Sequence, residues 1–298
     1  MPLPNPLQWL KGRRLRDRLM GALMPATGRP WSGRLLLLDF PARPRMRQGG
    51  DLPPHPQLHK AFVAQQPRFR AHLESFLPLR GIMEKIPLTG AAPGEPMWLN
   101  TWFQGFDAVT LYGFIANRRP RRYIEIGSGT STLFARRAIR DHGLDTRIIS
   151  IDPAPRAEVD AQCDEVLRMP LEDVPMEFFD SVTAEDVIFF DGSHRALQNS
   201  DVTVFFTEIL PRLPAGTLVG VHDIFLPYDY PPEIYERWYS EQYMLAAWLL
   251  AGERLRVELP LAHCMAEAEL DDVLNPYWES RALAGVSRKG YAFWFSMA

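Results

Sequence analysis

The sequence predicts an α/β fold, in which helices cover both faces of a seven-stranded, mostly parallel sheet. From residue 122 onward, short β-prone runs alternate with helical segments, and polar residues directly follow several of the runs. Two glycines stand at the first strand-to-helix turn. The predicted strands are 123–126, 147–151, 165–168, 186–190, 217–221, 254–259 and 291–295. Helices are predicted at 131–142, 156–163, 171–179, 196–213 and 232–252.

Composition limits the class of protein. The chain has 298 residues, of which 46% are hydrophobic, and this is enough for a sizeable core. Its net charge is −3. Two cysteines, Cys163 and Cys264, are too few for a disulfide framework or a cysteine metal site. No apolar run approaches the ~20 residues of a spanning helix. The apolar stretch near residues 19–24 is too short for a secretory signal, so we expect a cytoplasmic protein.

Three segments are predicted along the chain. Residues 1–50 form a basic extension, with ten lysines and arginines against two acids and with leucines at helical spacing. This basic helix either packs on the main domain, the favoured interpretation, or makes weak contact with an anionic membrane surface. Residues 51–118 form a helical segment that covers the core and contributes to the substrate site, and residues 119–298 form the α/β domain.

The expected classes of partner follow from the same composition and motifs. No zinc-finger spacing or RNA-binding signature occurs, so we expect no sequence-specific nucleic-acid binding. A homo-oligomer is compatible with the sequence. The strand-end chemistry described next leads us to expect a small-molecule or glycan hydroxyl as the substrate.

The glycine-rich turn at residues 123–131, Tyr-Ile-Glu-Ile-Gly-Ser-Gly-Thr-Ser, predicts a nucleotide-like cofactor site. Glycines at a strand-to-helix turn let the backbone approach a ligand, and the helix-start amides point at it. A dinucleotide fingerprint needs a third glycine where this chain has Thr132. The acid before the first glycine suits a cationic ligand such as S-adenosylmethionine (SAM). The predicted cofactor contacts in this turn are Glu125, Gly127, Ser128, Gly129 and Ser131.

Acids after the next two strands extend the predicted cofactor site. Asp152 follows the second strand and suits a ribose hydroxyl, although an Asp before Pro153 also suits a cap. After the third strand, Glu172 or Asp173 is placed to accept a hydrogen bond from the adenine amino group. Helix capping explains either acid nearly as well.

The residues that follow the fourth and fifth predicted strands are the candidates for metal binding and catalysis. Asp191, also expected to contact the cofactor, is followed by His194, and the fifth strand leads into His222 and Asp223. Because adjacent parallel strands end at one edge, these side chains should meet. Asp191, His222 and Asp223 are a plausible set of ligands for Mg²⁺ or Mn²⁺. With the metal bound, His194 would serve as the catalytic base; without a metal, His194 or His222 would act as the base alone. The alternative is that these residues only cap helices and bond to one another.

Residues 123–295 resemble the class I SAM-dependent methyltransferases. Within them they look like the methyltransferase domain 24 family, related to macrocin-type and catechol-type O-methyltransferases. The resemblance rests on the motifs that begin at Glu125, Ile151, Asp191, Asn199, Val221 and Gly290. It implies a Rossmann-like class I methyltransferase fold, magnesium at Asp191 and Asp223, and a base at His194. His222 departs from the family, which has a second acid there, so a metal-free mechanism stays open.

The resemblance and the motifs together predict a function. We expect a SAM-dependent O-methyltransferase that acts on a hydroxyl of a saccharide or glycosylated metabolite with the help of a divalent metal. Tyr228 and Tyr230, in the aromatic loop after the fifth strand, are the expected substrate contacts. The alternatives are a metal-independent methyltransferase for another small molecule, and a non-catalytic SAM-binding protein that its basic N-terminus recruits.

Overall fold

The computed structural model describes residues 43–155 and 158–298. The chain divides into a unit that ends at Arg45 and a unit that runs from Met46 to Ala298. Every helix and strand reported below belongs to the second unit. The predicted basic helix of the N-terminal extension lies outside the described residues. Within the described ranges, no helix has both the length and the apolar character needed to cross a membrane.

A single seven-stranded sheet forms the centre of the fold. Its strands are β1 (Arg122–Ile126), β2 (Arg147–Ile151), β3 (Glu165–Leu167), β4 (Val187–Phe190), β5 (Leu218–Val221), β6 (Leu255–Pro260) and β7 (Phe293–Met297). They lie in the order β3-β2-β1-β4-β5-β7-β6. The pairs from β3 through β5 are parallel, and β7 runs antiparallel to both of its neighbours. The predicted mostly parallel sheet is confirmed, and the last strand begins two residues later than predicted.

Helices cover the sheet. They are α1 (Pro56–Val63), α2 (Gln66–Phe76), α3 (Arg80–Met83), α4 (Gly105–Arg118), α5 (Thr130–Asp141), α6 (Met176–Asp180), α7 (Asp201–Val204), α8 (Glu241–Ala251), α9 (Leu261–Ala266), α10 (Ala268–Asp271) and α11 (Asn275–Trp278). The central strands are buried along almost their whole length, as expected for a parallel sheet with both faces covered. Side chains of α1, α2 and α4 join the same hydrophobic core as the sheet.

Several predicted helices are shorter than expected. Predicted helix 171–179 is a 3₁₀ turn at Leu171–Asp173 followed by α6, because Pro175 has no N–H to continue the first turn. Of predicted helix 156–163, the described part contains only the 3₁₀ turn Asp160–Gln162. Predicted helix 196–213 begins at α7 and continues as a π turn and a 3₁₀ turn to Arg212.

The prediction of one continuous helix over residues 232–252 is wrong. A 3₁₀ turn, Pro232–Arg237, ends at Trp238, whose backbone is left-handed with φ 56°. Helix α8 then begins at Glu241. The break brings the first residues of α8 beside the loops that follow β4 and β5, where Gln242 bonds the backbone of Phe225 and Tyr228.

Candidate active site

A cavity of about 540 Å³ opens at the carboxyl ends of β1, β2 and β4. This volume lies within the usual range for small-molecule sites. The cavity wall contains eight of the residues predicted from the sequence: Gly127, Ser128, Gly129, Ser131, Asp152, Glu172, Asp191 and His194. The glycine turn, the β2 acid and the β4 tip therefore surround one space, as expected for a doubly wound sheet.

The two glycines of the turn serve different purposes. Gly127 has φ +82°, and a Cβ there would lie 1.8 Å from the carbonyl oxygen of Asp191. This position therefore requires glycine for both its conformation and its close packing against the β4 end. A Cβ on Gly129 would meet nothing within 4 Å, so the hydrogen at this position leaves room at the cavity wall.

Glu125 lies behind the turn. Its fully buried carboxylate accepts hydrogen bonds from the hydroxyls of Tyr123, at 2.7 Å, and Thr132. Thr132 Oγ1 also accepts from the Gly129 N–H at 3.0 Å. Burial raises the pKa of Glu125 to about 7, although hydroxyl hydrogen bonds oppose the shift. The structure does not bring Glu125 to the cavity, where a ligand contact was predicted, and gives it a supporting place under the turn instead.

Asp152 closes the β2 side of the cavity. One carboxylate oxygen accepts from the Ser128 N–H at 2.8 Å, and the other accepts from the Ala154 N–H at 2.7 Å. Each oxygen keeps a second lone pair for a ligand hydroxyl. Of the two acids proposed for the adenine amino group, Glu172 lines the cavity and Asp173 does not.

His194, on the loop after β4, is held by a carboxylate that was not predicted from the sequence. Its Nδ1 lies 2.5 Å from Oε1 of Glu241, the fully buried first residue of α8. The His194 carbonyl accepts from the Ser240 N–H at 2.8 Å, which fixes the loop against the start of α8. This arrangement leaves Nε2 of His194 near Asp191 Oδ1, at 3.3 Å.

His222, just after β5, repeats this arrangement with a different carboxylate. Its Nε2 lies 3.3 Å from Oδ2 of Asp107, which is fully buried on α4. The other ring nitrogen, Nδ1, lies 3.4 Å from Asp191 Oδ1 and 3.8 Å from Asp223 Oδ1. Asp107 was also missed in the sequence, where it appears as a single acid within an apolar helix.

The two imidazoles therefore converge on Asp191 and Asp223. His194 Nε2 is also 3.8 Å from Asp223 Oδ2. Both His194 (φ 63°) and Asp223 (φ 55°) have left-handed backbones, which are uncommon for residues other than glycine. Left-handed residues of this kind cluster at functional sites, where the surrounding structure enforces them.

Charge at this centre favours protonated imidazoles in the protein without a ligand. Burial lowers the pKa of His194, but the carboxylates of Glu241, Asp191 and Asp223 outweigh it and raise this pKa to about 9. Burial likewise opposes protonation of His222, and Asp191, Asp107 and Asp223 raise its pKa well above the usual value. Burial raises the pKa of Glu241 to about 7, against the effect of His194.

The donor set predicted for a metal, Asp191, His222 and Asp223, suits a hard divalent cation in its chemistry. The Asp107 contact to the far nitrogen of His222 matches the way metal-binding histidines are commonly oriented. Within residues 43–155 and 158–298, however, the ligand atoms found to lie within 4.8 Å of one another belong to His59, His263 and Glu267. A cation at Asp191, His222 and Asp223 would therefore require these side chains to draw together.

The tyrosines predicted to contact substrate do not reach the cavity wall. Tyr230 is buried, and its hydroxyl accepts from the Gln242 N–H at 3.2 Å. Tyr228 packs beside Gly49. The aromatic side chains that line the cavity are Trp102, which is 57% exposed, and the buried Phe103. Both belong to the segment before α4, where their sequence gave no motif to mark them.

A family model described as a methyltransferase domain matches residues 124–224. Residues 124–224 therefore match a methyltransferase domain. The matched region includes the glycine turn, Asp191, His194, His222 and Asp223. This match agrees with the methyltransferase domain predicted from the motifs, and the sheet order agrees with the predicted Rossmann-like fold.

Individual relatives of the methyltransferase domain are distant. An uncharacterized protein of Archaeoglobus fulgidus is 34% identical over 95 residues, a match that covers 30% of this chain and 42% of that protein. A Podospora anserina methyltransferase solved with SAH is 16% identical, covers 70% of this chain and 93% of its own, and gives a TM-score of 0.39. An O-methyltransferase from Bacillus cereus, also in complex with SAH, is 16% identical over 76% of this chain and 90% of its own, with a TM-score of 0.36.

Proposed function

We propose that this protein is a SAM-dependent O-methyltransferase that acts on a hydroxyl of a saccharide or glycosylated metabolite. The observation that carries the proposal is the position of His194. Its side chain lines the same cavity as the glycine turn, and buried Glu241 holds its Nδ1 at 2.5 Å. A cofactor at the turn and a hydroxyl at His194 would therefore share one space.

The turn side of the cavity would hold SAM. Asp152 would accept hydrogen bonds from the ribose hydroxyls, since each of its oxygens keeps a lone pair beyond its backbone bond. Glu172 would accept from the adenine amino group. The absence of a side chain at Gly129 would let the cofactor lie close to the backbone.

His194 would act as the general base. When bound, SAM would supply a methyl group to the acceptor oxygen and would leave as a neutral thioether. Nε2 of His194 would take the proton of the acceptor hydroxyl. Glu241 on Nδ1 would stabilise the imidazolium that this transfer creates, and holding both substrates in line supplies further acceleration.

Asp191, His222 and Asp223 would hold Mg²⁺ or Mn²⁺ in the proposed enzyme. When bound, such a cation lowers the pKa of a hydroxyl that it contacts. Four carboxylates, those of Asp107, Asp191, Asp223 and Glu241, surround only two imidazoles, so the centre favours added positive charge. Without a cation, His194 and Glu241 would carry the proton transfer alone.

A sugar-bearing acceptor is favoured by the aromatic wall. Trp102 lines the cavity and is 57% exposed, and an indole ring suits the apolar face of a sugar ring. Trp102→Ala should raise KM for a glycosylated acceptor and leave KM for SAM unchanged. Equal turnover of an acceptor and of its aglycone would contradict the saccharide assignment.

Calorimetry with SAM tests the cofactor assignment. The wild-type chain should bind SAM, and Asp152→Ala should abolish the binding. A folded wild-type protein that gives no heat with SAM would overturn the proposal.

Removing metal with EDTA distinguishes metal-assisted methyl transfer from metal-independent methyl transfer. EDTA should inhibit methyl transfer, and Mg²⁺ or Mn²⁺ should restore it. Full turnover in EDTA would reject the metal-assisted version and leave His194 as the base that acts alone.

A further inference from the structure

A second cluster of metal-binding side chains lies outside the cavity, where α1 meets the segment after β6. His59 projects from α1, His263 from α9, and Glu267 stands between α9 and α10. His59 Nε2 is 3.4 Å from Glu267 Oε1, and His263 Nδ1 is 3.9 Å from the same oxygen. All three ligand atoms lie within 4.8 Å of one another.

His263 supplies an independent sign that this cluster takes a ligand. The residue is fully buried, yet its Nδ1 has no hydrogen-bond partner among the described residues. Buried polar atoms are normally satisfied, so an orphaned nitrogen that faces a carboxylate calls for a missing partner. Phe62 and Phe69 pack edge-on against the ring, at centroid distances of 5.6 and 6.1 Å, and fix its orientation.

We propose that His59, His263 and Glu267 form a Zn²⁺ site that joins α1 to the segment after β6. Two imidazole nitrogens and one carboxylate oxygen are a donor set that zinc uses in proteins. Tetrahedral bonds of 2.0–2.1 Å place neighbouring ligand atoms about 3.4 Å apart, which is close to the observed 3.4 and 3.9 Å. Nitrogen donors also favour zinc over Mg²⁺ or Ca²⁺.

The surroundings of the cluster suit a bound metal. The side-chain amide nitrogen of Gln66 lies 3.5 Å from the far nitrogen of His263, Nε2. Turning this amide by 180° would place its oxygen there to accept the ring N–H once Nδ1 binds the metal. The side chains of His59 and Glu267 are 34% and 32% exposed, so water can complete the coordination.

The role of this site would be structural. Glu267 is held by backbone bonds on both sides, since its N–H donates to the Cys264 carbonyl and its own carbonyl accepts from Leu270. A metal here would connect this fixed point to α1, a helix far away along the chain. None of the three residues lines the cavity, so the site does not depend on the proposed methyl transfer.

Zinc binding to the full chain tests the proposal. After chelator treatment, the wild-type protein should bind one equivalent of Zn²⁺ by calorimetry. At about 100 times Kd, Zn²⁺ should raise Tm by about 5–10 °C. Co²⁺ in place of Zn²⁺ should give the strong visible absorption of a tetrahedral complex. His59→Gln and Glu267→Gln, both at half-buried positions, should each weaken Zn²⁺ binding at least about 100-fold.

Two variants serve as matched controls. His72→Gln removes another histidine–carboxylate pair, to Glu258 at 2.9 Å, and should leave Zn²⁺ affinity unchanged. Asp223→Asn changes the proposed magnesium site and should also leave it unchanged. The proposal is overturned if the wild type binds no Zn²⁺, if both ligand variants keep its affinity, or if Asp223→Asn alone abolishes binding.

Discussion

The cavity has two sides: a cofactor side, formed by the glycine turn and Asp152, and a chemical side, formed by the residues after β4 and β5. Different parts of the chain fix the side chains on each side. At the glycine turn, Glu125 bonds Thr132 and Ser128 bonds Asp152, so partners are at most 24 residues apart. At the tips of β4 and β5, His194 bonds Glu241, 47 residues away, and His222 Nε2 lies 3.3 Å from Oδ2 of Asp107 on α4.

This difference separates binding from reactivity. The turn is shaped by backbone geometry and local bonds, so its ability to hold a ligand depends on a short stretch of chain. The orientation and charge of the imidazoles depend on α4 and α8, which pack from elsewhere. Substitutions on the two sides should therefore have separable effects on cofactor affinity and on turnover.

The largest effect is expected for His194→Gln. Removing the base should lower kcat by about 10³-fold, equivalent to about 4 kcal/mol, because general base catalysis contributes on this scale. Affinity for SAM, measured by calorimetry, should stay within a few-fold of wild type. His222→Gln is the matched variant, since His222 has a similar carboxylate partner but does not line the cavity. A kcat of His194→Gln close to that of the wild type would contradict the assignment of His194 as the base.

Gly127→Ala should destabilise the fold by about 3 kcal/mol, measured by urea unfolding. The added Cβ would lie 1.8 Å from the Asp191 carbonyl, and φ is +82°, so overpacking and backbone strain act together. Gly129→Ala, two residues later, meets nothing within 4 Å and should keep wild-type stability while it weakens SAM binding about tenfold. Equal loss of stability in both variants would contradict the separate roles of the two glycines.

Glu241→Gln should change the pH dependence of kcat/KM. Without the carboxylate, the pKa of His194 should fall from about 9, so the rise of kcat/KM with pH should move to lower pH. The loss of ring orientation should also lower kcat by about 10–100-fold. An unchanged pH profile would show that Glu241 does not set the charge of His194.

The pair formed by His194 and Glu241 also makes the free energy of unfolding depend on pH. The folded-state pKa of His194 lies above the ordinary value of about 6.5, so its stabilising contribution is complete below pH 6.5 and is lost as pH rises through about 9. The free energy of unfolding of the wild type should therefore fall over this window, and by less in Glu241→Gln.

The smallest effect is expected for Glu172→Ala. Loss of one hydrogen bond to the adenine should weaken SAM binding by about 1 kcal/mol, or roughly fivefold. Asp173→Ala removes an equally exposed acid that does not line the cavity and should leave affinity unchanged. Calorimetry on the two variants decides which acid faces the cofactor.

Local patterns predicted the strands and the residues at their tips. Asp191, His194, His222 and Asp223 directly follow β-prone runs, so a parallel sheet had to bring them to one edge. The burial of Glu125 was not predictable from such local patterns. Its carboxylate turns inward because Tyr123 and Thr132 satisfy it, and these hydroxyls become neighbours only in the folded turn.

The partners of the imidazoles required tertiary information. Asp107 and Glu241 each lie in the first turn of a mainly apolar helix, and the sequence does not indicate which strand end such a helix reaches. A single acid within a helix that is otherwise buried is the signal that was present. Trp238 carried no comparable signal, because a left-handed tryptophan is set by its surroundings and not by its own preference.

Asp107 has a second set of contacts, with a consequence for the order in which the protein folds. Its Oδ1 accepts from the N–H groups of Tyr291 and Ala292, at 2.7 and 2.8 Å, directly before β7. Its Oδ2 faces His222. One carboxylate thus joins the segment that leads into the last strand to the chemical centre. A folding intermediate with β1 to β5 in place but β7 undocked could already present the cofactor turn, while His222 would still lack a fixed partner. Catalytic competence would then be among the last properties that the folding chain acquires.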